Sequence, residues 1–400
     1  MISNVGTHNG STRVHAVVLT RDRTDVLQRC VNTGLATLGP DDALTVLDDS
    51  CASVAHANAG VLRATAGRSR TQLTHLPAKQ TLEAIARVSG GRGAVWQSKT
   101  APRDIAPLRN VSLLLSVVVD AQTTVLIDDD IDGFDLNATH GLLDAQERGP
   151  GGVIAGAEIA GTSEQDTLTR LSDAMCFLKT APRKNTVPVE ELFQVPADRK
   201  YAGADACGWV SAGYLAFRLP PATLFAFPPG YNEDWMWCLL HEAGGDTRVL
   251  RSVQAVVHDP PCIRRSSRDD ILFELGGDFV LDCLAECGEG SSRGPEAVLK
   301  DLSQDAPDPS LMPSVRTETV LNQAHELSEN GHGRMMSELK SYGLNILAEM
   351  QLSGELEMDG SRLLSNWSGD AALKQKSFRT TLDTSSVQLA LRAMWQEGRL

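Results

Sequence analysis

The sequence predicts an α/β fold with a mostly parallel central sheet, followed by a helical C-terminal appendage. Short apolar runs rich in β-branched residues alternate with stretches of helical periodicity over about the first 265 residues. This alternation is typical of a doubly wound sheet covered by helices. Beyond it the chain shows helical patterns and linker-like stretches but no strand pattern. We therefore expect an α/β domain over residues 1–265 and a helical region over residues 266–400.

Strands and helices are predicted in alternation through the first third of the chain. Strands are expected at 14–19, 44–47, 72–76 and 123–127, and helices at 26–38, at 53–66 and from Pro107 onward. Gly39 and Pro40 should end the first helix. Its buried face should comprise Leu27, Cys30, Val31, Gly34 and Leu38. Residues 80–100 give no clear element, and the glycine-rich stretch 90–93 indicates a loop.

The pattern is looser through the rest of the α/β region. In order, it predicts a helix at 136–146, a strand at 153–157, a long loop at 180–205, a strand at 209–217, a helix at 233–242 and a strand at 253–257. The last strand ends at His258. In the C-terminal region, residues 271–287 have the periodicity of an amphipathic helix.

Composition and charge argue against several classes of protein. The chain has 37 Lys and Arg against 51 Asp and Glu, a formal net charge of −14, which disfavours nonspecific binding to nucleic acid. It contains no apolar run of about 18 residues, and its first residues lack the apolar core of a signal peptide. The eight Cys form no CxxC pair. We therefore expect a cytoplasmic protein with reduced thiols and no membrane segment.

Three acidic clusters directly follow apolar segments. They are Asp48 with Asp49, then Asp128 with Asp129 and Asp130, then Glu233 with Asp234. In an open parallel sheet, ligands bind beyond the carboxyl ends of the strands. Acids gathered there raise one another's pKa unless a cation or a donor compensates. Any one cluster alone is more simply explained by capping or turn aspartates, but their joint placement indicates a ligand site.

The triple aspartate predicts a divalent metal site. Asp128 and Asp130 are two positions apart, so in an extended chain their side chains point to the same side. Carboxylate oxygens suit Mg²⁺ or Mn²⁺, which keep waters and also bind substrate phosphates. Because a diphosphate carries the complementary charge, such a metal can bridge protein and diphosphate and stabilise the leaving group.

The order of the motifs resembles that of the GT-A-fold glycosyltransferases, most of all glycosyltransferase family 2. The resemblance covers about residues 14–261. The matching segments are Thr20-Arg21-Asp22-Arg23 after the first strand, Asp48-Asp49-Ser50 after the second, the pair Arg109-Asn110, the DxD motif Asp128-Asp129-Asp130, the strand from Ser211 to Arg218, Asn232-Glu233-Asp234-Trp235, and His258. The resemblance implies a GT-A fold and a donor that is a nucleotide-diphosphate sugar, with UDP expected as the nucleotide.

The resemblance also implies roles in donor and metal binding. Asp48 or Asp49 would bind the base and ribose, and Arg109 would meet the diphosphate. Asp130 would be the main ligand of Mn²⁺ or Mg²⁺, with Asp128 contacting ribose or a metal-bound water and His258 as a further ligand. The complete set of expected donor-binding residues is Thr20, Arg21, Arg23, Asp48, Asp49, Arg109, Asp128 and Asp129.

Asp234 is the expected general base of an inverting enzyme, with Glu233 as the alternative. A sugar hydroxyl is a poor nucleophile, so a positioned carboxylate must accept its proton as the new bond forms. The departing diphosphate needs a positive counterpart in an oxocarbenium-like transition state. The competing explanation is that two acids at a helix N-terminus only complement the helix dipole.

The sequence departs from the family at several points and leaves alternatives open. Ala212 replaces a frequent glycine, and Cys51 follows Asp48-Asp49-Ser50 instead of a longer polar segment. No basic face for lipid-linked acceptors is visible, so we expect a soluble small-molecule or saccharide acceptor. A retaining transferase, a sugar nucleotidyltransferase and an inactive GT-A scaffold remain alternatives. The nucleotidyltransferase would need a glycine-rich loop after the first strand, which is absent. The C-terminal helices are candidates for a homodimer contact.

Overall fold

The computed structural model describes eleven continuous stretches of the chain. They are residues 12–89, 105–146, 152–162, 213–243, 247–250, 254–258, 267–288, 295–302, 311–329, 339–357 and 359–400. Residues 167, 171–172, 174–175, 178, 194–195, 304, 308 and 336–337 are described in addition. The statements that follow concern these residues. None of their helices is both long enough and apolar enough to cross a bilayer.

The strands form two sheets. In chain order they are β1 (Thr12–Thr20), β2 (Ala43–Asp48), β3 (Gln72–Pro77), β4 (Ala121–Asp128), β5 (Ile131–Asp132), β6 (Val153–Gly156), β7 (Glu158–Thr162), β8 (Gln194–Val195), β9 (Tyr214–Arg218), β10 (Arg248–Leu250) and β11 (Ala255–His258). The larger sheet has the order β10-β6-β9-β4-β1-β2-β3, and the smaller has the order β5-β11-β7-β8. In the larger sheet β9 is antiparallel to both of its neighbours and every other pair is parallel. The predicted mostly parallel α/β sheet is therefore confirmed.

The helices pack on both faces of the larger sheet and build the C-terminal region. They are α1 (Thr24–Thr37), α2 (Ala52–Ala66), α3 (Ala78–Val88), α4 (Ala106–Val118), α5 (Leu136–Gln146), α6 (Glu233–Glu242), α7 (Arg268–Gly288), α8 (Pro295–Leu302), α9 (Pro313–Glu329), α10 (Asn345–Ser353), α11 (Gly360–Leu382) and α12 (Ser385–Glu397). A π-helical turn, Lys340–Leu344, precedes α10. The expected helical character of the C-terminal region is confirmed.

Alternating side chains of β1 divide the interior into two cores. Val17 and Leu19 face a core that includes α4, whereas Val14, Ala16 and Val18 face a core that includes α1. All five are buried, which explains why this strand is apolar at successive positions rather than at alternate ones. The two cores hold β1 in the middle of the molecule, and its last residue, Thr20, is also buried.

The last two helices belong to the core on one face of the sheet. Phe378 in α11 and Leu391 in α12 are fully buried there, together with Trp395. The indole Nε1 of Trp395 donates to Thr45 Oγ1 of β2 at 3.1 Å. The amide of Leu400 donates to the carbonyl of Leu73 in β3 at 3.0 Å. The C-terminal segment therefore packs directly on the sheet, while the division into two units at residue 265 stays a prediction.

Several predicted boundaries are corrected by the structure. Helix α1 ends at Thr37, and Leu38 is extended because Gly39 and Pro40 follow it. Residues 78–88 form α3, whereas no clear element was expected at 80–100. Strands β5, β7, β8 and β10 were not predicted, and β8 lies within the expected loop at 180–205. The predicted loop at 90–93 and nearly all of the loop at 180–205 lie outside the described residues.

Candidate active site

The carboxyl ends of three parallel strands bring the first acidic clusters to one edge of the sheet. Thr20 at the end of β1 is in register with Asp48 of β2, and the preceding Leu19 is in register with Asp128 of β4. Parallel strands with equal registers end at the same edge. The predicted gathering of these acids at one edge is therefore observed.

Asp48 is enclosed by the protein. Its side chain is 0% exposed, and its Oδ1 accepts the amide of Ser50 at 3.0 Å. Its Oδ2 accepts Asn58 Nδ2 at 3.0 Å and lies 2.9 Å from His75 Nε2. Burial raises the pKa of the Asp48 carboxyl, but the hydrogen bonds from His75, Ser50 and Asn58 outweigh it and hold that pKa below its ordinary value. Asp48 thus stabilises the turn that follows β2.

Asp49 and Arg21 form an open pair beside this turn. Arg21 Nε donates to Asp49 Oδ2 at 2.8 Å, and the side chains are 42% and 30% exposed, respectively. The amide of Asp49 donates to the carbonyl of Thr20 at 2.9 Å, which fixes the pair at the ends of β1 and β2. A ligand at this edge can therefore reach the Arg21 and Asp49 side chains.

Asp129 is buried in the turn after β4 and contacts two predicted donor-binding residues. It accepts a hydrogen bond from Thr20 Oγ1 at 2.6 Å, and its other oxygen lies 2.6 Å from Arg23 Nη2. Burial raises the pKa of the Asp129 carboxyl to about 7, although the charge of Arg23 opposes the shift. These contacts tie the turn after β4 to the turn after β1.

Asp130 lies between Arg23 and His258. Arg23 Nη1 donates to its Oδ2 at 2.5 Å, and its Oδ1 lies 3.5 Å from His258 Nε2. His258 reaches this position because β11 pairs with β5 directly after the aspartate turn. Burial raises the pKa of the Asp130 carboxyl, but His258 and Arg23 outweigh it and lower that pKa.

The oxygens around Asp130 fit a divalent cation with two protein ligands. Asp130 Oδ1 is buried and accepts no hydrogen bond from a described residue, and leaving a buried acceptor unpaired is costly. At 3.5 Å the contact with His258 is longer than an ordinary hydrogen bond. Adjacent ligands about 2.1 Å from an octahedral metal lie about 3 Å apart, close to the observed separation. Carboxylate oxygen suits Mg²⁺ or Mn²⁺, and neutral imidazole is a common metal ligand.

The third predicted ligand, Asp128, points elsewhere. Its Oδ1 lies 3.8 Å from Arg109 Nη2. β4 ends at Asp128, and Asp129 and Asp130 lie in the turn that follows, so the alternation of side chains along the strand does not extend to Asp130. Within the described parts of the chain, no three His, Cys, Asp or Glu side chains are grouped as a complete ligand set. The protein would therefore supply two ligands, and substrate phosphate and water the others.

The buried guanidinium of Arg109 joins the strand-end acids to the third acidic cluster. Its Nη1 lies 2.5 Å from Glu233 Oε1 and 3.9 Å from Asp234 Oδ2, at the start of α6. Burial lowers the pKa of the Arg109 guanidinium, but Glu233, Asp128 and Asp234 outweigh it, so the net shift is upward. The side chains of Glu233 and Asp234 are 8% and 13% exposed. Glu233 is therefore the charge partner of Arg109, and Asp234 is the more accessible carboxylate.

Sequence reasoning missed His75 and Asn58, which surround Asp48. His75 lies among apolar strand residues and Asn58 in an Ala-rich helix, so nothing in their surroundings marks them. The predicted Arg109-Asn110 pair does act at this edge. Asn110 Oδ1 accepts the amide of Phe227 at 2.7 Å, and its Nδ2 donates to the Phe227 carbonyl at 3.1 Å. Asn110 therefore fixes the segment that leads to α6.

Comparisons with known proteins give fold similarities alone. No protein-family model and no curated protein matches the chain. Among solved structures, it is similar to a mannosyltransferase from Pyrobaculum calidifontis in complex with GDP-mannose and Mn²⁺, with 9% identity, 92% of this chain and 86% of that chain covered, and a TM-score of 0.37. It is also similar to glucosyl-3-phosphoglycerate synthase from Mycobacterium tuberculosis in complex with Mn²⁺, UDP and glucosyl-3-phosphoglycerate (14% identity, 70% and 80% covered, TM-score 0.36). A third similar structure is TarS from S. aureus (10% identity, 88% and 55% covered, TM-score 0.41). Because these TM-scores lie below 0.5, the function has to be inferred from the chain's own residues.

Proposed function

We propose that the chain is a metal-dependent glycosyltransferase that moves a sugar from a nucleotide-diphosphate donor, UDP-linked in the first instance, to a small-molecule or saccharide acceptor. One observation carries the proposal. A buried carboxylate oxygen of Asp130, suited to a cation, lies in the turn after β4, and the carboxylate pair Glu233–Asp234, suited to proton transfer, is joined to the end of β4 through the contact of Arg109 with Asp128.

Asp49 and Arg21 are the best candidates to contact the nucleotide. Both side chains are partly exposed, whereas the Asp48 side chain is 0% exposed and already accepts hydrogen bonds on both oxygens. Sequence reasoning allowed either aspartate to bind the base and ribose, and exposure favours Asp49. Asp48 contributes indirectly, because it stabilises the turn after β2 that carries Asp49.

Asp130 and His258 would hold the divalent cation, and the positive charge of Arg23 would partly neutralise the diphosphate of the substrate. When bound, a divalent cation neutralises the diphosphate and so stabilises it as a leaving group. Arg23 Nη1 lies 2.5 Å from Asp130 and Nη2 lies 2.6 Å from Asp129. The Arg23 side chain is therefore close enough to approach a diphosphate bound beside Asp130.

Asp234 would accept the proton of the acceptor hydroxyl. Glu233 is paired with Arg109 at 2.5 Å, whereas Asp234 lies 3.9 Å from the same nitrogen and is more exposed. The shorter contact commits Glu233 to Arg109, and Asp234 is left as the more exposed carboxylate. Arg109 therefore orients the pair, and we assign it this positioning role because its own side chain is only 5% exposed.

Calorimetric titration with UDP and GDP tests the binding half of the proposal. We expect one nucleotide to bind in the presence of Mn²⁺ and to bind at least tenfold more weakly after chelation. Asp130→Asn should remove this metal dependence. The matched control is Asp132→Asn, because Asp132 lies two positions further on and its side chain is 35% exposed. Metal-independent binding, or equal losses in the two variants, would contradict the assignment of Asp130.

A further inference from the structure

We propose that Asp278 in the C-terminal region is a positioning residue for the Glu233–Asp234 pair. This inference rests on the proposed function, since it gives a role to a residue that supports the proposed base. Asp278 lies in α7, outside the segment that resembles a known family. It accepts a hydrogen bond from Asn232 Nδ2 at 2.6 Å, and Asn232 directly precedes the carboxylate pair.

Asn232 has a backbone conformation that needs support. Its φ is 62° and its ψ is 27°, in the left-handed region that L-residues other than glycine, Asn and Asp rarely adopt. This residue reverses the chain into α6, and its carbonyl accepts the amide of Met236 at 3.0 Å in the first helical turn. The direction in which Glu233 and Asp234 leave the backbone is therefore set at Asn232.

Helix α7 approaches this turn closely enough to act as its support. A Cβ added to Gly277 would lie 2.5 Å from the carbonyl oxygen of Tyr231, so only glycine fits at this position. The neighbouring Asp278 is buried and reaches Asn232, the residue after Tyr231. Close backbone contact and a side-chain hydrogen bond thus act together on two successive residues of the turn.

A second helix of the C-terminal region, α11, contacts the residues that precede Asn232 in the chain. Trp367 Nε1 in α11 donates to the carbonyl of Pro229 at 2.7 Å. Gln375, also in α11, accepts the amide of Ala226 at 2.7 Å. The segment that leads to the proposed base therefore has contacts from α7 and α11 along its length. These contacts give the C-terminal helices a function within the active site.

The hydrogen bond to Asn232 should affect turnover and not donor binding. The predicted donor contacts, Asp49 and Arg21, lie on turns that follow β1 and β2, whereas the Asn232–Asp278 hydrogen bond acts on the start of α6. A displacement of about 1 Å at a reacting group can lower a rate about a hundredfold. We therefore expect loss of the hydrogen bond to lower kcat while the KM for the donor stays unchanged.

The test compares Asp278→Ala, Asp278→Asn and Asp282→Ala in the 400-residue chain. Asn at 278 still offers an oxygen to Asn232, so it should restore most of the function that Ala removes. Asp282→Ala is the matched control, because Asp282 lies one turn along α7 and shares the partner Arg316. The first measurement is hydrogen exchange of peptides covering residues 228–238. The second is Mn²⁺-dependent hydrolysis of UDP-glucose, with kcat and KM determined separately.

For Asp278→Ala we expect at least tenfold faster exchange at the start of α6 and, where UDP-glucose is turned over, a tenfold to hundredfold lower kcat with unchanged KM. Asp278→Asn and Asp282→Ala should stay within about threefold of the unmodified protein. Unchanged exchange in Asp278→Ala would overturn the inference. If Asp278→Ala does not fold, Asn232→Gly removes the same hydrogen bond and keeps the turn accessible, and the same outcomes apply. Activity that survives Asp234→Asn would refute the proposed function itself, whatever Asp278 does.

Discussion

Replacing Arg109 with Met should destabilise the protein in a pH-dependent way. The Arg109 side chain is 5% exposed and lies 2.5 Å from Glu233, which is 8% exposed. Met keeps an unbranched apolar stem in place of the arginine stem, so part of the packing stays while the charge is lost. Breaking one partner of a buried ion pair costs about 3–5 kcal/mol, because the other charge is left buried and uncompensated. At pH 8 we expect a decrease of about 3 kcal/mol in the free energy of unfolding.

At lower pH, the loss of unfolding free energy in Arg109→Met should be smaller. Without Arg109, the buried Glu233 carboxyl has a folded-state pKa above its unfolded value of about 4.3. A group whose pKa is higher in the folded state than in the unfolded state stabilises the fold at pH values below its unfolded-state pKa. This stabilisation is lost as the pH rises through the pKa of the folded state. The difference between Arg109→Met and the unmodified protein should therefore be smaller at pH 5 than at pH 8.

Urea unfolding followed by circular dichroism at both pH values measures the effect. The double variant Arg109→Met with Glu233→Gln should recover much of the loss, since no uncompensated charge remains at position 233. Arg268→Met is the control, because Arg268 forms an exposed pair with Glu355 and should change stability by less than about 1 kcal/mol. Equal deficits at pH 5 and pH 8, together with no recovery in the double variant, would refute the reasoning.

Two further predictions concern packing. Gly277→Ala should destabilise by about 1–3 kcal/mol, because its Cβ would lie 2.5 Å from the carbonyl oxygen of Tyr231. Gly276→Ala in the same helix should be neutral or stabilising by up to about 1 kcal/mol, because nothing lies within 4 Å of the added carbon. Thermal unfolding should give a lower Tm for Gly277→Ala than for Gly276→Ala. Equal Tm values would contradict the close approach of Gly277 to Tyr231. Trp395→Phe should cost about 1–3 kcal/mol, since it leaves Thr45 without the indole donor while a ring remains in the core. Urea unfolding checks this value, and a change below about 0.3 kcal/mol would show that the hydrogen bond contributes little.

The strands that carry the site were predictable because local sequence determines them. The apolar, β-branched runs that end at Asp48 and Asp128 become β2 and β4, and parallel pairing then brings both ends to one edge. The helix that begins at Glu233 was also predicted with its observed bounds. In each case the periodicity of apolar residues, the order of the elements along the chain and a few charged residues are enough to predict where the strand or helix lies.

The orientation of individual side chains was less predictable. Asp128 and Asp130 were expected on one side, but the strand ends at Asp128 and the following turn sends Asp130 toward His258. The contact between Trp395 and Thr45 joins residues 350 positions apart. The hydrogen bond from Asn232 to Asp278 likewise depends on how α7 packs. Contacts of this kind depend on tertiary packing, which periodicity along the chain does not encode.

The most direct measurement of the central claim is NMR of UDP-glucose, UDP-N-acetylglucosamine and GDP-mannose incubated with the 400-residue chain and Mn²⁺. We expect cleavage of at least one donor into nucleoside diphosphate and free or transferred sugar, with the anomeric configuration of the first product inverted. Asp234→Asn should abolish the cleavage and leave nucleotide binding intact. Equal cleavage by the protein and by Asp234→Asn, or no cleavage of any of the three donors, would contradict the account.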